Sequence, residues 1–98
     1  MSDNETSWTL LSNHAHVLVC LTTDSSMRLR DVATQVGITE RAVQRIIMEL
    51  ETAKMISRKK EGRRNQYKIY ANQPLRHPLE RHYTVGKLLK AVTQRRGE

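Results

Sequence analysis

Ninety-eight residues carry at most one compact domain, because a chain this short buries only roughly 60 to 65% of its unfolded surface and does not support two cores. A hydrophobic fraction of 38%, a charged fraction of 28% and a single cysteine exclude a disulfide-stapled or collagen-like chain. Seventeen Lys and Arg against ten Asp and Glu leave a net charge of +7, which points to a polyanionic partner, nucleic acid first.

The charge is uneven. Residues 1–57 hold five basic and seven acidic side chains, residues 58–98 twelve and three. The chain opens on the acidic run Met1-Ser2-Asp3-Asn4-Glu5, and its longest unbroken apolar run is Val17 to Leu21. Neither a signal peptide nor a membrane span fits, so a cytoplasmic protein with no membrane partner is expected.

Residues 1–8 read as a disordered tail. A helix is predicted from Ser12 or Asn13, either of which can cap it, to about Thr23. Its run Val17-Leu18-Val19-Cys20-Leu21 is apolar on almost every face, which calls for cover on both sides and suggests a partner subunit besides the chain's own core. Asp24-Ser25-Ser26 reads as a turn and Met27-Arg28-Leu29 as a short strand. Then Val32, Val36, Ile38, Val43 and Ile46 fall at a spacing that two short crossing helices bury against one another. Ala33 suits the closest approach, Gly37 a left-handed residue just past the first of the two, and Thr39 the N-cap of the second, over 39–53.

Met55–Lys60 and Gln66–Ala71 read as two strands of a hairpin with Glu61 to Asn65 as a basic tip. Both prolines lie in Asn72–Pro78, an extended connector. Leu79 to about Arg95 is predicted as an amphipathic helix, with Val85, Leu88, Leu89 and Val92 along one stripe. The fold class is therefore mainly α with a small β-hairpin: a winged helix-turn-helix, three helices plus a wing, with an added C-terminal helix. The expected organisation is a tail at 1–8, a DNA-binding domain at 9–72, and a connector with a dimerisation helix at 73–98.

The run Arg30 to Ile46, then Gly62-Arg63-Arg64-Asn65, then Leu75-Arg76-His77-Pro78-Leu79-Glu80, resembles the small bacterial winged-helix transcriptional regulators of the MarR and ArsR types. That resemblance implies a homodimer that places two recognition helices in successive major grooves with the wings alongside. It makes the helix opened by Thr39 the recognition helix and Glu61–Asn65 the wing tip. It names no effector ligand for this chain.

With Val43, Ile46, Ile47 and Leu50 as a buried stripe, Glu40, Arg41, Gln44, Arg45 and Met48 should face outward. Arg41, Gln44 and Arg45 are the candidate base readers, since Arg matches the two acceptors of guanine and Gln the adenine edge; Glu40 suits the helix dipole. Thr39, Lys59, Lys60, Arg63, Arg64 and Lys68 are candidates for phosphate contact, within a wing at 58–68 that lies on the backbone or in the minor groove. Leu18, Tyr83, Val85, Leu88, Leu89 and Val92 are the candidate dimer interface, where Gly86 would admit a partner closely.

No cofactor and no metal are expected. His14 and His16, two apart on a helix, point different ways, and no cysteine pair accompanies them or His77 and His82. Cys20 reads as a small core residue, and Tyr67, Tyr70 and Tyr83 as packing residues. No nucleophile with its base and no phosphate-cradling glycine loop is visible, so an enzyme is not expected. The alternative to a duplex-DNA reader is a winged helix that binds protein or RNA without operator specificity.

Overall fold

The structure, a computed structural model, describes residues 7–94; most of the tail expected at 1–8 and the helix end placed at Arg95 lie outside the described residues. The elements in chain order are α1 (Asn13–Thr23), α2 (Leu29–Val36), α3 (Glu40–Thr52), β1 (Ile56–Glu61), β2 (Arg64–Ile69) and α4 (Val85–Thr93). This is a winged helix-turn-helix followed by one further helix.

Helix α1 starts where the Ser12 hydroxyl accepts from the Ala15 N–H. Val17, Leu18, Cys20 and Leu21 are all buried, because α1 is the central element and packs on α2, α3, α4 and β2. The second cover that an all-round apolar helix requires comes from α4 of the same chain. After α1 the Asp24 carboxylate accepts from both the N–H and the hydroxyl of Ser26, which closes an Asx turn. The strand expected at Met27–Leu29 does not form. Arg28 is already the N-cap position of α2, and the Val32 N–H bonds to its carbonyl. The turn before it takes up the pairing instead: the Ser25 carbonyl accepts from the Tyr67 N–H at 2.9 Å.

Helices α2 and α3 meet as the spacing predicts. Gly37 sits at φ 87°, ψ 34°, and its N–H and that of Ile38 both return to the Ala33 carbonyl. The Thr39 hydroxyl caps α3 by accepting from the Ala42 N–H at 3.0 Å. Val32, Ala33, Val43, Ile46, Ile47 and Leu50, the inner faces of these two helices, are all buried in the common core.

The hairpin is tighter than expected. Antiparallel pairing runs from Ile56↔Ile69 to Glu61↔Arg64, leaving Gly62-Arg63 as a two-residue turn in place of a five-residue tip. Gly62 at φ 62° permits this, since a positive φ in the first turn position matches the twist of the flanking strands. Ile56 and Tyr67 bury against the helices.

The last helix also differs. It begins at Val85, not at Leu79, because Thr84 is the residue whose hydroxyl can cap it, accepting from the Lys87 N–H. Ahead of it the chain folds into a closed loop: Leu75 N–H bonds to the Tyr83 carbonyl and Val85 N–H to the Gln73 carbonyl, both parts of which a helix from 79 would break. Leu79 is accordingly exposed.

Candidate nucleic-acid interface

Amphipathicity decides what α3 presents. Its buried stripe of Val43, Ile46, Ile47 and Leu50 leaves Glu40, Arg41, Gln44, Arg45 and Met48 exposed on the opposite face. Arg41 and Gln44 make no side-chain bond to other described residues, so their donors are open to a ligand. Arg45 is loosely tethered, its Nη1 lying 3.9 Å from Glu49 Oε2. Glu49 in turn accepts from His14 Nε2 at 2.7 Å, which joins α3 to the start of α1. That hydrogen bond holds the Glu49 carboxyl below the usual carboxylate range, with the nearby charges of His14 and Arg45 adding to it.

On the wing, Lys59, Lys60, Arg63, Arg64 and Lys68 are all exposed. Strand alternation and the register divide them. Lys59, Arg64 and Lys68 share one side of the hairpin, Lys60 lies on the side of Tyr67 and Ile69, and Arg63 is at the turn. Lys68 Nζ stands 5.4 Å from the centre of the Tyr70 ring. Tyr67 is a packing residue, whereas Tyr70 and Tyr83 are exposed, each beneath a lysine ammonium. Arg28 and Arg30 also stand beside the wing tip, lining the same cleft as Arg63 and Arg64. No local pattern in the sequence marks them, because their neighbours on the wing lie more than thirty residues further along the chain.

Among the six residues expected at a dimer interface, Leu18 (5% exposed), Val85 (1%) and Leu89 (4%) are buried within the protomer's own core, where α1 and α4 cross. Tyr83 (42%) and Val92 (44%) are exposed and Leu88 half-buried. Gly86 is close-packed too, but against its own chain: a Cβ there would lie 2.6 Å from the Ala71 Cβ.

Cys20 is buried, which pushes its thiol up, and its Sγ lies 3.7 Å from Gln35 Oε1. The histidines have local roles: His14 with Glu49, His16 with the Asn13 side chain, and His77, whose Nδ1 accepts from the Leu79 N–H. No three metal-ligating side chains gather among the described residues, and no helix there is long and apolar enough to cross a membrane.

No model of a protein family matches the sequence, and no curated protein sequence matches it. Solved structures do. The crystal structure of ZitR, a zinc-responsive MarR family member of Lactococcus lactis, matches 70% of this chain with a TM-score of 0.50 at 19% identity. Wild-type Lactococcus lactis ZitR in complex with DNA matches the same share with a TM-score of 0.53 at 18% identity. In each case 49% of the ZitR chain is covered, so this chain spans about half the length of the structures it matches. The order of helices, with Thr39 capping α3, and hairpin described above is thus the winged helix-turn-helix fold found in MarR-family proteins.

Proposed function

We propose that this chain is a sequence-specific reader of double-stranded DNA that regulates transcription as a homodimer. The recognition helix, 39–53, enters the major groove, and the wing, 58–68, lies on the backbone or in the minor groove. The observation that carries this reading is the outer face of α3, where Arg41, Gln44 and Arg45 stand exposed beside a wing with six further cations. Arg and Gln in the first turns of such a helix have the donors and acceptors that read guanine and adenine edges. The likeness to a ZitR structure that contains DNA supports the same partner. Residues 9–72 then form the DNA-reading unit, and the 73–98 segment contributes to dimerisation through Tyr83, Leu88 and Val92.

The test is a titration of the chain with a site selected from random duplexes, with random duplex, and with single-stranded RNA. Gln44→Ala or Arg45→Ala should weaken the selected site by about 1 to 3 kcal/mol and leave random duplex nearly unaffected. Equal weakening on both duplexes places the reading residues elsewhere. Tighter binding to RNA than to duplex overturns the reading in favour of an RNA-binding module.

A further inference from the structure

The wing is fastened to the helix-turn-helix along one edge. Besides the Tyr67 N–H bonded to the Ser25 carbonyl, the Gln66 side-chain amide donates to the Ser25 hydroxyl and Arg64 Nη1 donates to the Ser26 carbonyl at 3.2 Å. These bonds close a cleft of about 370 Å³ between the wing tip, the start of α2 and the first turn of α3. Arg28, Arg30, Arg63, Arg64 and Asn65 line it, with Glu40 as its one acid.

Four guanidinium groups around one carboxylate repel one another, and among the described residues none of the four forms an ion pair, whereas Arg45 and Arg58 do. The bond to Ser26 occupies one of the five donors of Arg64 and fixes where the rest point. A planar guanidinium presents paired donors that match two oxygens of a phosphate, and the surplus positive charge of the cleft favours an anion. Its position between wing and reading helix is where a duplex engaged by both must pass its backbone.

We propose that this cleft holds a backbone phosphate of duplex DNA, gripped by Arg28 and Arg30 from the helix-turn-helix side and by Arg64 from the wing. Wing and reading helix then engage the duplex as one body, which makes the turn at Ser25-Ser26 part of the binding surface. The inference rests on the duplex-binding reading above and extends it to two arginines at the start of α2, Arg28 at its N-cap and Arg30 in its first turn.

The test uses the full chain and a random-sequence 30-base-pair duplex, with anisotropy titrations between 50 and 200 mM KCl. Arg28→Gln with Arg30→Gln should make the slope of log K against log salt shallower by about 0.9 for each bound protomer, one phosphate contact each. Its deficit against wild type then shrinks by about 3.5-fold per protomer across that salt range. A selected site and random duplex should weaken by the same factor, because a phosphate contact carries no base information. Arg81→Gln with Lys90→Gln removes the same charge away from the cleft and should keep the wild-type slope. Both Arg28 and Arg30 are exposed, so the variant should melt as wild type does. A wild-type slope in the Arg28, Arg30 variant, or an equal loss in the Arg81, Lys90 control, overturns the cleft while leaving the duplex reading in place. Failure of the wild-type chain to bind duplex at any salt overturns both.

Discussion

Lys54 adopts φ 62°, the left-handed region, at the point where α3 ends. The Met55 N–H returns to the Leu50 carbonyl around it, and the Gln73 amide bonds to the carbonyls of Ala53 and Lys54, so the corner is held from two sides. That conformation costs a residue with a Cβ roughly 1 kcal/mol that glycine avoids. Lys54→Gly is therefore expected to raise stability by up to about 1 kcal/mol, a Tm increase of about 4 to 8 °C for a domain of this size. A lower Tm by calorimetry contradicts the assignment. Nothing in the sequence marks Lys54, since glycine or asparagine is the usual signal and lysine suits the last turn of a helix anyway. Glu49 makes a second case. Its carboxyl is depressed in the folded state, chiefly by the His14 hydrogen bond, so the stability it contributes is complete above the usual carboxylate range and is lost as pH falls through the folded value. The Tm difference between wild type and Glu49→Gln should be small, because the pair is exposed, and should close on acidification. A difference that stays constant from neutral to acid pH rules this out.

Element packing turns on Gly86. Its N–H donates to the Ala71 carbonyl at 2.9 Å, and an added Cβ would meet the Ala71 Cβ at 2.6 Å and the carbonyl oxygen at 3.0 Å. Two effects oppose one another in Gly86→Ala. Helix propensity favours alanine by about 1 kcal/mol, while forcing a methyl group into an occupied space costs about 1 to 3 kcal/mol. Backbone lies on the far side of the contact, so the clash should win and Tm should fall. Adding Ala71→Gly should recover most of the loss. A Tm raised by Gly86→Ala alone shows that the start of α4 does not pack on Ala71 as described. The stripe Val85, Leu88, Leu89, Val92 made α4 legible as an amphipathic helix, but the partner of its small residue lies fifteen positions back, beyond the range of any local pattern.

At the scale of the molecule the protomer covers α1 by itself, so the apolar composition of that helix is no argument for a second subunit. What remains for one is the exposed edge of α4 and its approach, with Tyr83, Leu88 and Val92. A groove of about 920 Å³ adjoins it, between the start of α1, the second half of α3 and the 75–88 segment, lined by Leu10, Leu11, Met48, Leu75 and Leu88 among others. On the proposed function, a homodimer built there would need to present its two α3 helices about 34 Å apart, one turn of duplex. Val92→Asp should convert a dimer into a folded monomer at tens of micromolar, by sedimentation with an unchanged helical spectrum. Leu89→Asp is the wrong probe, since burying a carboxylate in the core unfolds the protomer. A wild-type chain that sediments as monomer at that concentration would falsify the dimer.

The sequence by itself determined α1, the turn between α2 and α3 and the start of α3, whose signals are short-range. Ser12 and Thr39 cap because their hydroxyls reach N–H groups three residues on, and Gly37 turns because it lacks a Cβ. The apolar spacing of 32–50 settles which face of α3 is left to a partner. The tertiary structure alone decided what depends on residues far apart in the chain. Closing the 74–84 loop moved the start of α4 to Val85, and α4 took the place beside α1 that a partner could have held. Pairing β2 with the turn at Ser25 brought Arg28 and Arg30 to Arg63 and Arg64 across more than thirty residues. Periodicity and capping report the few residues that share a turn of helix or a rung of hairpin. Which elements then cover one another depends on the whole chain collapsing on one core, and no single segment encodes that.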